Sequence, residues 1–225
     1  MAQNRSASGA AQPVPSRDAR AHSPVFHRNG PIITAHLCGL LSAAAGDVLE
    51  IGSGAGQHIA AFAAALPGLT WWPTEADPGR IPSIEAWRRH TRLANLRAPA
   101  ILDAARTPWR PEPPGPPLGR GLTAIIAVNV VHISPWPATE GIIAGAAAHL
   151  ASGGCLVLYG PFLRDDAPTA PSNAAFDAQL RARDPAWGLR EISALDALAG
   201  ANGLLPAGAT EVPANNLILE FRKPG

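Results

Sequence analysis

The sequence lacks most of the features that would settle its class at a glance. It has two cysteines in 225 residues, Cys38 and Cys155, far apart and outside any CxxC or Cys/His ligand spacing. That excludes a disulfide framework and a zinc site, and no other metal site is expected; both thiols are read as buried and free. No apolar run approaches the roughly 18 residues of a membrane span, and the first residues have no secretory apolar stretch, so a soluble, cytoplasmic protein with no membrane partner is expected. The net charge is only +1, with acidic and basic residues interspersed. Without a polybasic face there is nothing to draw in nucleic acid by counterion release. No internal repeat is visible. What is present, 47% hydrophobic and 16% charged residues, suffices for one substantial core and one domain.

Residues 1 to about 24 are rich in Ala, Ser, Pro, Gln and Arg without apolar periodicity, which predicts a disordered tail before a single domain over 25–225. From Pro31, Ile32, Ile33, Leu37, Leu40 and Leu41 recur at helical spacing. Val48 to Gly52 then reads as a buried strand, Ala55 to Leu66 as a helix stopped by Pro67-Gly68, and Leu69 to Thr74 as a second strand. A helix from about Ile81 to Leu96 and a short strand at Ala100 to Leu102 follow, and Pro108 to Gly121 is a Pro/Gly loop. Leu122 to Val131 is the most apolar run, fit for a central strand, with a helix to about Leu150 and another strand at Cys155 to Tyr159. Helices near Asn173 to Arg183 and Ala194 to Asn202 precede two closing strands, Leu205 to Val212 and Asn216 to Arg222. Strands alternating with helices of this length predict an α/β fold, a mostly parallel sheet with helices on both faces, whose ligands sit beyond the strand carboxyl ends.

The most informative stretch is Val48-Leu49-Glu50-Ile51-Gly52-Ser53-Gly54-Ala55-Gly56-Gln57-His58. An apolar strand carrying one carboxylate runs into a glycine-rich turn that opens a helix, where the backbone can approach a ligand and free N–H groups point at it. The dinucleotide fingerprint needs a third glycine or alanine three residues after the second; here Gln57 stands there and Gly56 comes one residue early. Glu50, just before the turn, repels a diphosphate and attracts an ammonium group. The pattern suits S-adenosylmethionine, whose methionine end is a zwitterion beside a sulfonium.

These residues resemble the class I S-adenosylmethionine-dependent methyltransferases, and most closely an uncharacterised methyltransferase-like family of the twenty-six type, a domain of unknown function. The likeness rests on Arg28-Asn29 with Pro31-Ile32, on Glu50 with Gly52-x-Gly54-x-Gly56-Gln57-His58, on Leu69-Thr70-Trp71 to Asp77-Pro78, and on Asn129-Val130-Val131-His132-Ile133 before Pro135-Trp136. It continues through Leu158-Tyr159-Gly160-Pro161-Phe162, Pro171-Ser172-Asn173, Phe176-Asp177, Arg183-Asp184-Pro185 and Pro213-Ala214-Asn215-Asn216, nearly everything after the tail. The resemblance implies a Rossmann-like seven-stranded sheet and a cofactor, S-adenosylmethionine. It places Gly52, Ser53 and Gly54 beneath the methionine and ribose and Glu50 near the amino group, with Gly56 a further cofactor-binding residue of the loop. Glu75, about twenty residues beyond the loop as a βαβ unit demands, accepts the ribose hydroxyls, with Asp77 as its competitor. Asp103 accepts the adenine amino group. By their position, Arg28 and Asn29, where the chain can fold over the cofactor, and Asn129, with loop pinning as its alternative, are read as further cofactor contacts.

Methyl transfer is an in-line displacement that needs an acceptor held opposite the sulfur, exclusion of water and sometimes a base. His132, after the fourth strand, is the candidate base; a hydrogen-bonded structural histidine is the alternative. Trp136, Tyr159 and Asn216 are candidate substrate contacts, although rings at strand ends are often core and Asn215-Asn216 fit a turn. His58 stands between ligand contact and helix packing, Arg164, Asp165 and Asp166 between a lid and a solvated tip, and Ser172-Asn173 read as a helix N-cap. Asn129-Val130-Val131-His132 lacks the Pro-Pro-aromatic continuation of enzymes acting on adenine or glutamine. The expected activity is methyl transfer to a small-molecule acceptor. A non-catalytic S-adenosylmethionine-binding protein of the same fold is the second reading, and a nicotinamide-dependent oxidoreductase is disfavoured by the glycine spacing and by Glu50.

Overall fold

A computed structural model describes residues 18–111 and 115–225. The order is α1 (Pro24–Leu41), β1 (Gly46–Ile51), α2 (Gln57–Ala65), β2 (Leu69–Glu75), α3 (Ile81–Thr91), β3 (Ala100–Ile101), β4 (Leu122–Val128), α4 (Trp136–His149), β5 (Leu150–Gly160), β6 (Phe162–Leu163), α5 (Pro171–Arg183), β7 (Arg190–Glu191), α6 (Ile192–Ala201), β8 (Leu205–Val212) and β9 (Asn216–Arg222). One seven-stranded sheet has the order β3-β2-β1-β4-β5-β9-β8. The first five strands are parallel, and β9 and β8 join antiparallel. β6 and β7 form a small separate parallel pair.

The central strands are buried on both faces, which is why β1 and β4 read as continuous apolar runs rather than alternating ones. On one face Ile33, Leu37 and Leu41 of α1 and Ile59 and Phe62 of α2 pack against Val48, Trp71, Ile126, Val157 and Ile218. On the other, Ile142 and Ile143 of α4 and Leu195 and Ala199 of α6 pack against Leu49, Ile125, Leu156 and Phe221. The chain winds outward from β1 to β2 and β3, then returns to β4 on β1's other side. That reversal opens a crevice at the strand carboxyl ends. Among the described residues no helix is long and apolar enough to cross a membrane.

Of the segment expected as a tail, residues 1–17 lie outside the described residues, as do 112–114 of the Pro/Gly loop. Residues 18–24 are held to the domain. Ala21 N donates to Ser83 Oγ at 2.8 Å, Trp87 Nε1 donates to Ala21 O at 3.0 Å, and Ser23 N donates to Gln57 Oε1. The first helix accordingly starts at Pro24 rather than Pro31, which lies inside it. Its first turns, with Val25, Arg28 and Asn29, face the crevice instead of the core.

Candidate functional site

The ends of β1, β2 and β4, the loop after β3, the first turns of α1, α5 and the β8–β9 turn enclose a cavity of about 990 Å3. Its wall contains Arg28, Asn29, Glu50, Gly52, Ser53, Gly54, Glu75, Asn129, His132 and Asn216 of the expected site residues, and also His58 and Asp77.

The glycine loop is tied to the neighbouring strand. Thr74 Oγ1 donates to Glu50 O at 2.7 Å and Ser53 N donates to Thr74 O at 2.9 Å. The Glu75 carboxylate is fixed by backbone alone: Gly54 N donates to Oε2 at 2.9 Å, and Ala76 N and Asp77 N donate to Oε1 at 2.9 and 3.2 Å. Asp77 is a turn residue. Its Oδ1 accepts from Gly79 N at 2.8 Å and its carboxylate lies 3.6 Å from Arg80. Gly54 has φ +56°, and a Cβ there would find only Arg80 Nη1 and Gly52 O within 4 Å, so this face is open to a ligand. Gly56 has another purpose. At φ +90°, a Cβ on it would lie 2.8 Å from Ile84 Cα, so the third glycine admits α3 to the loop and stands outside the cavity wall.

Glu50 is 1% exposed, and neither its Oε2 nor the Ser53 hydroxyl has a hydrogen-bond partner. Burial pushes its carboxyl up to about 8; the neighbouring Ser53 hydroxyl opposes the shift and the charge of Glu75 reinforces it. At neutral pH the group is therefore mostly protonated, and a cation delivered to it would draw the proton off. A buried acid without a partner is destabilising unless something binds it.

Beyond β4 the wall changes character. Asn129 takes the left-handed conformation at φ +56°, with its N–H donating to Tyr159 O at 2.8 Å. His132 is 2% exposed, its Nδ1 has no partner, and its ring meets that of Phe176 edge-on at 5.8 Å between centroids. Burial, aided by the Arg190 charge, lowers it to about 4. The turn that carries it is clamped from the segment after α5: Gly188 N donates to His132 O at 3.0 Å, Arg190 Nε to Val131 O at 3.0 Å and Arg190 Nη2 to Ser134 O at 2.5 Å. Asp177 Oδ1 accepts from Leu189 N at 2.7 Å and fixes that segment to α5. His58 is likewise lowered to about 4 by burial, its Nδ1 unpartnered and its ring edge-on to Phe26.

Four of the expected residues stand outside the cavity wall. Gly56 is a packing glycine, as described. Asp103 follows β3, but its carboxylate accepts from Ala105 N at 3.0 Å and pairs with Arg106 at 3.1 Å, leaving Leu102 and Ala104 to face the cavity. Tyr159 shares strand parity with Cys155 and Val157, which sends its ring into the core under α1 and α2. Trp136 opens α4, where its Nε1 donates to Glu140 at 3.0 Å and Arg190 lies over its ring at 5.6 Å. The sequence reading did not single out Gln57, Arg80, Phe176 or Trp187 as wall residues. Asn173, read as a cap, makes no cap bond; its Nδ2 donates to Asn215 O at 2.9 Å and it too stands in the wall.

Residues 20–223 match the model of a family described as a protein of unknown function, DUF938. Among solved structures the chain is similar to the mitomycin 7-O-methyltransferase MmcR, with TM-score 0.72 and 21% identity over 88% of this chain and 54% of that one. An O-methyltransferase family protein from Burkholderia thailandensis gives TM-score 0.70 and 16% identity over 89% and 57%. Human N-acetylserotonin methyltransferase, solved in complex with SAM, gives 0.68 and 13% over 89% and 53%. The chain spans about half the length of each of the three. What it shares with them is a Rossmann-like methyltransferase fold.

Proposed function

The chain belongs to the DUF938 family, and we propose that it is an S-adenosylmethionine-dependent methyltransferase, of the methyltransferase-like twenty-six type, acting on a free small molecule in the cytoplasm and not on nucleic acid. The observation that carries this reading is the orphaned Glu50 carboxyl at the foot of a large cavity, beside a glycine face open to a ligand. A buried, unpartnered acid asks for a cation, and an amino-acid ammonium group meets that need where a diphosphate would not.

When bound, S-adenosylmethionine supplies an electrophilic methyl group on a sulfonium. Glu50 takes the ammonium end, and Arg28, exposed at the rim with its Nε donating to Asn29 Oδ1 at 3.0 Å, takes the carboxylate. Glu75, preset by three backbone donors, accepts the ribose hydroxyls. Asn129 and His132, in the cavity wall after β4, would line the reacting end. His132 is neutral at physiological pH, so it accepts a hydrogen bond from the acceptor. Its weak basicity would suit late proton removal from a hydroxyl acceptor, whose oxygen, once bonded to the methyl carbon, would hold its proton as an oxonium far more acidic than an imidazolium.

Calorimetric titration tests the cofactor assignment. We expect S-adenosylhomocysteine and S-adenosylmethionine to bind and NAD not to, and Gly54→Val, strained at positive φ and filling the open face, to weaken binding at least ~100-fold. Binding by NAD instead, or equal binding by the variant, refutes it. The low basicity of His132 favours a second reading, binding without turnover. Incubation with labelled cofactor and a metabolite extract separates the two: a labelled product supports catalysis, and tight binding with no product supports the alternative.

A further inference from the structure

The charged residues of the cavity wall, Arg28, Glu50, Glu75, Asp77 and Arg80, all stand on the first turns of α1 or at and just beyond the ends of β1 and β2. The part built by the loops after β4 and β5, the start of α4, α5 and the β8–β9 turn contains no charged side chain. At about 990 Å3 the cavity sits at the top of the roughly 300–1,000 Å3 range that holds one drug-sized ligand, so a second molecule fits beside a bound nucleoside. The polar groups of this second half are all uncharged: the carboxamides of Asn129, Asn173 and Asn216, the hydroxyls of Ser134 and Ser172, and the His132 ring. Asn173 donates through Nδ2 to Asn215 O at 2.9 Å and Asn216 through Nδ2 to Pro213 O at 3.3 Å, which leaves each carboxamide its oxygen and a second N–H. The His132 ring is 2% exposed and stands in the same wall. Around these groups stand flat or apolar surfaces, Phe176, Trp187 and Pro161.

We propose that this chamber binds an uncharged aromatic compound bearing O–H or N–H donors, and that Asn216 is a residue that enforces its neutrality. The inference rests on the methyltransferase reading and names the class of its acceptor. Carboxamides, hydroxyls and a neutral imidazole pair with O–H and N–H groups but carry no charge to balance a carboxylate. Phe176 and Trp187 supply the faces against which a ring packs. An ammonium group finds no counter-charge in the chamber, and burying either ion unpaired is costly.

The test uses protein loaded with S-adenosylhomocysteine and a matched series: a dihydroxybenzene, its carboxylate derivative and its aminoethyl derivative. Dissociation constants are read by ligand-observed NMR. We expect the neutral compound to bind about tenfold or more tighter than either ion. In Asn216→Asp, with S-adenosylhomocysteine affinity retained, the aminoethyl compound should gain at least about tenfold relative to the neutral one. Stronger binding of the carboxylate, which would put Arg28 in the acceptor's service, overturns the proposal. So does failure of the neutral compound to bind to loaded protein, or an unchanged preference in Asn216→Asp. Failure of S-adenosylhomocysteine itself to bind is a separate result that overturns the methyltransferase reading and this inference with it.

Discussion

The two halves of the cavity are built by opposite means. The half under β1 and β2 is made mainly from residues 50–80, closed by the first turns of α1 and the loop after β3, with a backbone loop, a carboxylate held by three N–H groups and one buried acid that has no partner. The half beyond β4 is assembled from four distant segments and presents amides, rings and a neutral histidine. The first is a rigid electrostatic socket whose strain is relieved by a cation; the second is a shaped, uncharged chamber whose precision depends on the clamp from Gly188 and Arg190. Substitutions should therefore separate cleanly, altering affinity for the nucleoside in one half and transfer in the other.

The largest effect should come from His132→Ala. We expect transfer to an accepted phenol to fall by about 10²–10⁴-fold while S-adenosylhomocysteine affinity is unchanged; loss of both together would erase the division between the halves. Next, Glu50→Gln keeps the shape of the socket and removes its charge. Its expected cost is about 10–100-fold in cofactor affinity by calorimetry, with no gain or loss for the neutral phenol. Arg190→Gln loosens the turn bearing His132 without touching a ligand. A fall of about tenfold in kcat, set against an unchanged nucleoside Kd, should come with a rise of the His132 titration from about 4 toward its ordinary range, visible by NMR. A purely structural role for Arg190 would leave that titration in place.

The smallest effect is in the stability of the ligand-free protein. His58 and His132 drop from 6.5 to about 4 on folding, so their contribution is present above pH 6.5 and is lost as pH falls toward 4. Glu50 rises from 4.5 to about 8, so its contribution is present below pH 4.5 and is lost as pH climbs through 8. The unfolding midpoint should peak near pH 6.5 and decline above it. In Glu50→Gln the decline should vanish, and a variant that keeps it would show that Glu50 is not the group responsible.

Legibility in the sequence follows the same division. The strand, glycine loop, helix and acid from Val48 to Glu75 are neighbours in the chain, and their types are dictated locally by burial, positive φ and a βαβ span. The closing strands at Leu205–Val212 and Asn216–Arg222 coincide with the expected ones, because a turn of Pro213-Ala214-Asn215 interrupts two extended runs. Phe176, Trp187 and Asn173 reach the cavity only through tertiary placement of α5, which no local pattern encodes. Tyr159 and Trp136 show the reverse. Both stand by strand ends in sequence, but strand parity turns one into the core and a Glu140 bond and Arg190 stacking hold the other aside. Asp103 has the right position and a local partner, Arg106, that sequence order could have suggested. The apolar spacing that begins at Pro31 marks only the core-facing part of α1, whose first residue is Pro24.

The decisive measurement is proton exchange on ligand binding, obtained by titrating S-adenosylmethionine into the protein at pH 7 in buffers of different ionisation enthalpy. Because the free Glu50 carboxyl holds its proton up to about pH 8 and an arriving ammonium group displaces it, we expect release of roughly one proton, abolished in Glu50→Gln. Binding with no proton released, or release undiminished in the variant, would contradict the assignment of Glu50 as the cofactor's counter-ion.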